Sequence, residues 1–273
     1  MKSYSVLALL LGLWVSLSSC EDVVDVELEK SKPVLVVDGW ITDQPGPQTI
    51  RLKTTAPYFS NGASPVVTGA TVTIRDNQGQ TEVLKETAPG VYQTQSLRGK
   101  VGNQYTLTVK TGSEEYTAET AIRRTFPIDS IGTVYQKESM GRKEGYTLRF
   151  YGREPLGVGD SYRLKVYRND TLLNSPHDLI FLEDRYVDGN YFKGLDLGLE
   201  PFRKGDKVRI ENHSITEDTY AFLTELSTQM RNGGMFANPP ANVRSNIKAV
   251  QGGKKATGWF GGSAVSSAER VVE

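Results

Sequence analysis

The stretch Ala70-Thr71-Val72-Thr73-Ile74-Arg75, followed by Asp76-Asn77-Gln78-Gly79, decides the fold class of this 273-residue chain. Its apolar and polar residues alternate, as in a strand with one buried face, and the residues after it favour a tight turn. Similar stretches recur on both sides of it, at residues 34–41, 48–53, 81–85, 91–94, 105–110 and 116–121. Short strands separated by Gly, Asn and Pro predict a β-sandwich, which we place at residues 33–122.

A second β-rich region, residues 131–273, follows a linker at residues 123–130 that contains Pro127. Its predicted strands lie at residues 146–151, 161–167, 179–182, 207–210 and 257–266. In the first region, residues 67–72 and 102–107 resemble strand pairs of transthyretin-like sandwiches. The expected fold class is mainly β: an N-terminal Ig-like or transthyretin-like β-sandwich, followed by a second β-rich domain carrying one C-terminal amphipathic helix.

The predicted helix covers about residues 216–231. Ser214-Ile215-Thr216-Glu217 fits a capping box, in which the Ser214 hydroxyl and the Glu217 carboxylate satisfy free N–H groups of the first turn. Gly233-Gly234 is expected to end the helix in a left-handed conformation. We expect its apolar face to pack on the second sandwich, with an exposed partner-binding face as the alternative. That face consists of Tyr220, Leu223, Leu226 and Met230.

The N-terminus predicts export. An apolar run at residues 6–15 would span about 15 Å as a helix, half of a bilayer core of about 30 Å. Residues 1–19 are therefore predicted to be a signal peptide. Leu17-Ser18-Ser19-Cys20 resembles the bacterial lipobox, so Cys20 is predicted to become the lipidated first residue, with acyl chains such as palmitate. An ordinary core cysteine is the alternative.

Residues 20–32 are predicted to be an acidic tether. Glu21 and Asp22, directly after Cys20, resemble the export signal of Bacteroidota surface lipoproteins, although a solvated tether without any signal is the alternative. The expected location is the outer membrane, with the chain held in the lipid through Cys20 and facing the cell exterior. An orientation into the periplasm stays open.

Composition excludes several function classes. The 32 Lys and Arg residues balance 32 Asp and Glu residues, which argues against nucleic-acid binding because that needs a basic face. One cysteine excludes an intrachain disulfide. His177 and His213 lack metal-ligand spacing, and no serine elbow, phosphate loop or dinucleotide fingerprint occurs. The sequence predicts no catalytic residue, no metal and no cofactor.

One loop is a candidate for ligand binding, because acidic and aromatic residues cluster there beside Gly189. An oligosaccharide, a peptide or calcium is the possible ligand, and a solvated acidic loop with a simple turn is the alternative. A hydrolase that uses the three acids of this loop is a further alternative. The candidate residues are Glu183, Asp184, Tyr186, Asp188 and Tyr191.

Several motifs in order resemble the Bacteroidota lipoprotein family of domain of unknown function 4249. They include residues 35–42, 46–52, 67–74, 90–92, 220–223, 232–234, 239–242 and 258–264. The resemblance implies a non-enzymatic accessory subunit of a TonB-dependent outer-membrane transporter that aids nutrient capture. It implies no catalytic residue. A stand-alone carbohydrate-binding or adhesion lipoprotein is the alternative function.

Overall fold

The computed structural model describes most of the chain after residue 31, in the ranges 32–56, 62–141, 143–233, 237, 239, 241–250 and 253–273. The predicted signal peptide, Cys20, Glu21, Asp22 and all of the predicted tether except Lys32 lie outside the described residues. Within the described ranges, no helix is both long enough and apolar enough to cross a bilayer.

The prediction of a mainly β protein is confirmed. The strands are β1 (Leu35–Thr42), β2 (Thr49–Thr54), β3 (Thr71–Asp76), β4 (Thr81–Val83), β5 (Lys85–Ala88), β6 (Val91–Gln93), β7 (Gln104–Thr111), β8 (Glu114–Ala121), β9 (Ile128–Gln136), β10 (Gly145–Arg153), β11 (Ser161–Arg168), β12 (Thr171–Leu172), β13 (Ile180–Glu183), β14 (Tyr191–Asp196), β15 (Lys207–Ile215), β16 (Lys248–Ala249), β17 (Ala256–Ser263) and β18 (Val265–Val271). The α-helix of the described residues is α1 (Glu217–Arg231).

The first sandwich consists of two sheets with the strand orders β17-β1-β2-β6-β5 and β16-β8-β7-β3-β4. Their facing sides share one hydrophobic core. The alternation of apolar and polar residues explains the strands. Val72 and Ile74 of β3 are fully buried, while Thr71, Thr73 and Arg75, which alternate with them, are not. The decisive stretch therefore contributes its apolar face to this core.

The second sandwich has a sheet of order β14-β10-β9 and a sheet of order β12-β11-β15-β18, with β13 also pairing with β11. A separate hydrophobic core lies between these sheets. It is rich in aromatic rings, and Phe126 makes edge contacts with Phe150 and Tyr162. Both sandwiches lie within one compact unit, Pro33–Glu273.

Strands β16 and β17 come late in the chain but belong to the first sandwich. Strand β17 pairs in parallel with β1, from Leu35 opposite Ala256 to Thr42 opposite Ser263. The pattern predicts that residues 257–266 belong to the second region, but β17 lies in the first sandwich, where its Phe260 enters the first core. Periodicity predicts that a strand exists, but not which distant strand it will join.

Helix α1 confirms the prediction at about residues 216–231, but its cap is different. Thr216 is the N-cap, and its Oγ1 accepts a hydrogen bond from the Thr219 backbone N–H at 3.2 Å. The predicted cap, Ser214, lies in β15 instead, where its hydroxyl donates to the Arg123 carbonyl oxygen at 2.7 Å. Gly233 does not have the expected positive φ, and Gly234 lies outside the described residues.

The buried side of α1 also differs from the predicted apolar face. Leu223 is buried, but Met230 is exposed. The helix contacts both sandwiches: Phe222 stacks on Trp259 of β17 with ring centroids 4.4 Å apart, and Tyr220 makes an edge contact with Phe181 of β13. A face that has two partners is wider than the single stripe that periodicity suggests.

The parallel pairing of β1 and β17 predicts the effect of a glycine substitution. Gly258 has φ +105°, and a Cβ there would overlap with the Val37 carbonyl oxygen. We expect Gly258→Ala to lower the free energy of unfolding by about 3 kcal/mol or more. The matched control is Gly79→Ala, which has φ +92° but no atom within 4 Å of the added Cβ, and it should cost only about 1 kcal/mol. Equal losses in urea unfolding would contradict the close approach of the two strands.

Candidate functional site: a loop pair with buried carboxylates

The five predicted ligand residues do not converge on one site. Asp184 is buried, whereas Tyr186 is among the most exposed large side chains and Tyr191 is exposed on β14. Glu183 lies 3.8 Å from Arg185 in a surface ion pair. Asp188 accepts a hydrogen bond from the Gly157 N–H at 2.6 Å. The loop therefore makes its bonds to a second loop rather than forming an open pocket.

That second loop supplies two acids that sequence reasoning missed. Glu154 and Asp160 lie at its ends, and the structure brings them to Asp184, with one carboxylate oxygen from each residue within 4.8 Å of the others. All three are buried. We call them the carboxylate cluster, and we call residues 154–160 and 184–190 the loop pair. No spacing signal connects these acids, because the contact joins two separate loops.

Backbone N–H groups donate hydrogen bonds to two of the three carboxylates, Asp184 and Glu154. Asp184 Oδ2 accepts from the N–H groups of Gly159 at 2.7 Å and Asp160 at 2.9 Å. Glu154 Oε2 accepts from the Gly189 N–H at 2.6 Å, and its Oε1 accepts from the Tyr162 hydroxyl at 3.1 Å. A buried carboxylate needs such donors, since an unpaired one costs several kcal/mol. These bonds hold the two loops together.

Arg124 neutralises part of the negative charge. Its Nε donates to Asp160 Oδ2 at 2.6 Å, and its second amino group reaches the carbonyl oxygens of Leu156 and Gly157 at 3.1 and 2.8 Å. The bond to Asp160 raises the pKa of Arg124. One guanidinium group therefore fixes the backbone of the first loop and one member of the cluster.

Burial sets the electrostatics of the remaining groups. Desolvation raises the pKa of Glu154, and the nearby charges of Asp184 and Asp160 raise it further, although the bonds from Gly189 and Tyr162 oppose them. Desolvation also raises the pKa of the Tyr162 hydroxyl. The three acids are buried and already bonded to the protein, so they contribute to holding the loop pair together.

The loop pair carries three exposed apolar side chains. Leu156, Val158 and Tyr186 expose 79%, 72% and 83% of their surface. The backbone on either side of Val158 is held, because the N–H groups of Gly157 and Gly159 donate to Asp188 and Asp184. We call the three side chains the apolar tip. Exposed apolar side chains on ordered loops are candidates for contact with a partner.

The comparisons with known proteins give a family. A family model described as a domain of unknown function, DUF4249, matches residues 21–269. The chain belongs to this family. The match begins one residue after Cys20 and includes both sandwiches and α1. Comparison with curated proteins finds no match.

The structural role of the cluster in this DUF4249 protein predicts the cost of removing one acid. Asp184→Ala leaves two N–H groups of the loop pair without an acceptor, so we expect the free energy of unfolding to fall by about 2–4 kcal/mol. The neighbouring control Glu183→Ala removes only a surface ion pair and should cost less than about 1 kcal/mol. Urea unfolding measures both, and two variants of equal stability would show that the cluster does not hold the loops.

Proposed function

We propose that the mature chain is a non-enzymatic lipoprotein, anchored in the outer membrane through Cys20, that serves as an accessory subunit of a TonB-dependent transporter and aids nutrient capture. The lipobox-like residues 17–20 support the anchor. Glu21 and Asp22 support an orientation toward the cell exterior. The DUF4249 match supports the family relation on which the transporter partnership rests.

The apolar tip is the observation that carries this proposal. A partner that covers Leu156, Val158 and Tyr186 would remove three apolar side chains from water, and the backbone around Val158 is already held by the bonds from Gly157 and Gly159. Pre-ordered contacts of this kind reduce the entropy cost of association. Tyrosine is also enriched in interfaces between proteins. We therefore expect the tip to contact the extracellular face of the transporter barrel.

The histidines support a binding role rather than catalysis. His213 is buried, and desolvation holds its pKa well below the usual value, so its ring stays neutral at physiological pH. Its Nε2 shares a hydrogen bond with Glu211 at 2.9 Å. His177 is exposed in a loop between β12 and β13. Among the residues that the structure describes, neither histidine forms a hydrogen bond with the carboxylate cluster.

Co-purification from detergent-solubilised native membranes tests the proposal. The tagged chain should bring down a barrel protein of the outer membrane. A triple variant of the tip, with serine at Leu156, Val158 and Tyr186, should recover at least about tenfold less of it, because buried interface side chains carry most of the binding energy. Elution of the native chain alone would contradict the proposal.

The control uses other exposed apolar residues, in the first sandwich. Val66, Val83 and Val101 expose about half of their surface, so a triple serine variant there changes surface hydrophobicity without changing the tip. Recovery of the barrel should stay within about twofold of that for the native chain. An equal loss in the control would mean that the tip is not the contact.

One observation favours a carbohydrate-binding or adhesion module as a second candidate. Tyr186 exposes 83% of its surface and could stack on a sugar ring, and Tyr191 is a second exposed tyrosine, with the Arg153 guanidinium 5.4 Å from its ring centroid. A glycan array separates the two candidates. Binding of the purified chain to a polysaccharide, abolished by Tyr186→Ser, would favour this one.

A further inference from the structure

The face of β11 and β15 that points away from the second core carries an unusual set of charges. Because side chains alternate along a strand, Leu164 and Val166 enter the second core, and Arg163, Lys165 and Tyr167 lie on the opposite face. The register places Arg163 opposite His213, Lys165 opposite Glu211 and Tyr167 opposite Arg209. Directly opposed residues of antiparallel strands share one face, so these six side chains form one surface.

The acids on this face already have partners. Glu211 pairs with Arg209, accepts a hydrogen bond from the Tyr167 hydroxyl at 3.1 Å and shares one with His213 Nε2 at 2.9 Å. The Arg209 guanidinium also lies 3.7 Å from Glu269 of β18 and stacks over the Tyr167 ring. The charged side chains of Arg209 and Glu211 on β15 therefore already have partners on this face. Glu211 has little capacity left for a further cation.

Arg163 and Lys165 remain as a pair of cations, which we call the cation pair. In the described part of the chain, neither side chain has a hydrogen bond or an ion pair within 4.0 Å, although both are half-buried. Desolvation lowers the pKa of Arg163, and desolvation with the charge of Arg163 lowers the pKa of Lys165 to about 8. Two like charges that lack counter-ions destabilise the fold unless something else compensates them.

The residues around Arg163 and Lys165 indicate what kind of group could compensate their positive charges. Phe181 lies opposite Arg163 on β13, and its ring contacts Tyr220 of α1. Asp38 of β1 is close enough to act electrostatically on both cations but does not pair with them. A planar guanidinium group can bind two oxygens of one anion, and the ammonium group beside it adds a point charge. The Phe181 side chain lies beside Arg163 on the neighbouring strand.

We propose that the cation pair binds the carboxylate or phosphate group of a small ligand, whose remaining part lies against Phe181. This names a ligand chemistry for the capture role proposed above, and it rests on that role only for its biological purpose. Binding is measured on the isolated chain, and the transporter contact is measured by co-purification. Either result can therefore fail without the other.

The probes are sulfate and benzoate, which keep their charges between pH 6 and 10. We expect both to bind the purified full chain at pH 7 and to raise its melting temperature above that in chloride of equal ionic strength. Lys165→Met should weaken sulfate binding about tenfold. The matched control is Lys207→Met on the same face, where the lysine is already paired with Asp170 and Glu269, and it should change binding less than about twofold.

Two further measurements do not depend on the folding of Lys165→Met. Asp38→Asn removes the acid that opposes the anion and should tighten sulfate binding about threefold. An anion favours protonated Lys165, so affinity should fall about tenfold between pH 7 and pH 9.5 as the ammonium loses its proton. The other charged or titratable groups around this lysine are Arg163, Tyr167, Arg209, Glu211, His213, Asp38 and Asp43.

Anion-specific stabilisation that is lost in Lys165→Met, kept in Lys207→Met and increased in Asp38→Asn supports the proposal. Sulfate and benzoate that act no more strongly than chloride, or that act equally on Lys165→Met and the native chain, overturn it.

Discussion

The junction between β17 and β18 is the constraint on which the rest of the structure depends. Strand β17 belongs to the first sandwich and β18 to the second, and only Ala264 separates them. Ser214 holds this residue from both sides: its N–H donates to the Ala264 carbonyl at 3.0 Å, and its hydroxyl accepts from the Ala264 N–H at 2.9 Å. Asp43 Oδ1 accepts from the Val265 N–H at 2.9 Å. Each bond contributes about 1 kcal/mol.

The same junction positions both surfaces to which we assign a role. The Ser214 hydroxyl donates to the carbonyl of Arg123, and the next residue, Arg124, binds Asp160 in the carboxylate cluster. The loop pair and its apolar tip are therefore connected to the junction through two adjacent residues. Asp38 of β1 in the first sandwich acts electrostatically on the cation pair of β11 in the second. Helix α1 contacts a strand from each sandwich.

Local patterns in the sequence predict the elements well. The alternation at residues 105–110 corresponds to β7 (Gln104–Thr111), and the helix predicted at about residues 216–231 is Glu217–Arg231. Both depend on residues that are neighbours along the chain. The predicted cap is wrong because Ser214 and Glu217 fit the local capping-box pattern, whereas the tertiary structure recruits the Ser214 hydroxyl to Arg123 and Thr216 caps the helix instead.

The features that local patterns could not predict involve distant residues. Nothing in residues 256–263 shows that they pair with a strand more than two hundred positions earlier. The contact of Glu154 and Asp160 with Asp184 depends on two loops meeting, and neither loop has a diagnostic spacing. Alternation does place Arg163 and Lys165 on one face, but only the register with β15 shows that Glu211 already has other partners.

Native-state hydrogen exchange tests most directly whether the junction makes the two sandwiches one cooperative unit. Amides of β2 (Thr49–Thr54) in the first sandwich and β15 (Lys207–Ile215) in the second should open with the same free energy and the same dependence on denaturant. Exchange of one set at a denaturant concentration where the other stays protected would show two independent domains. That result would contradict the account of the junction.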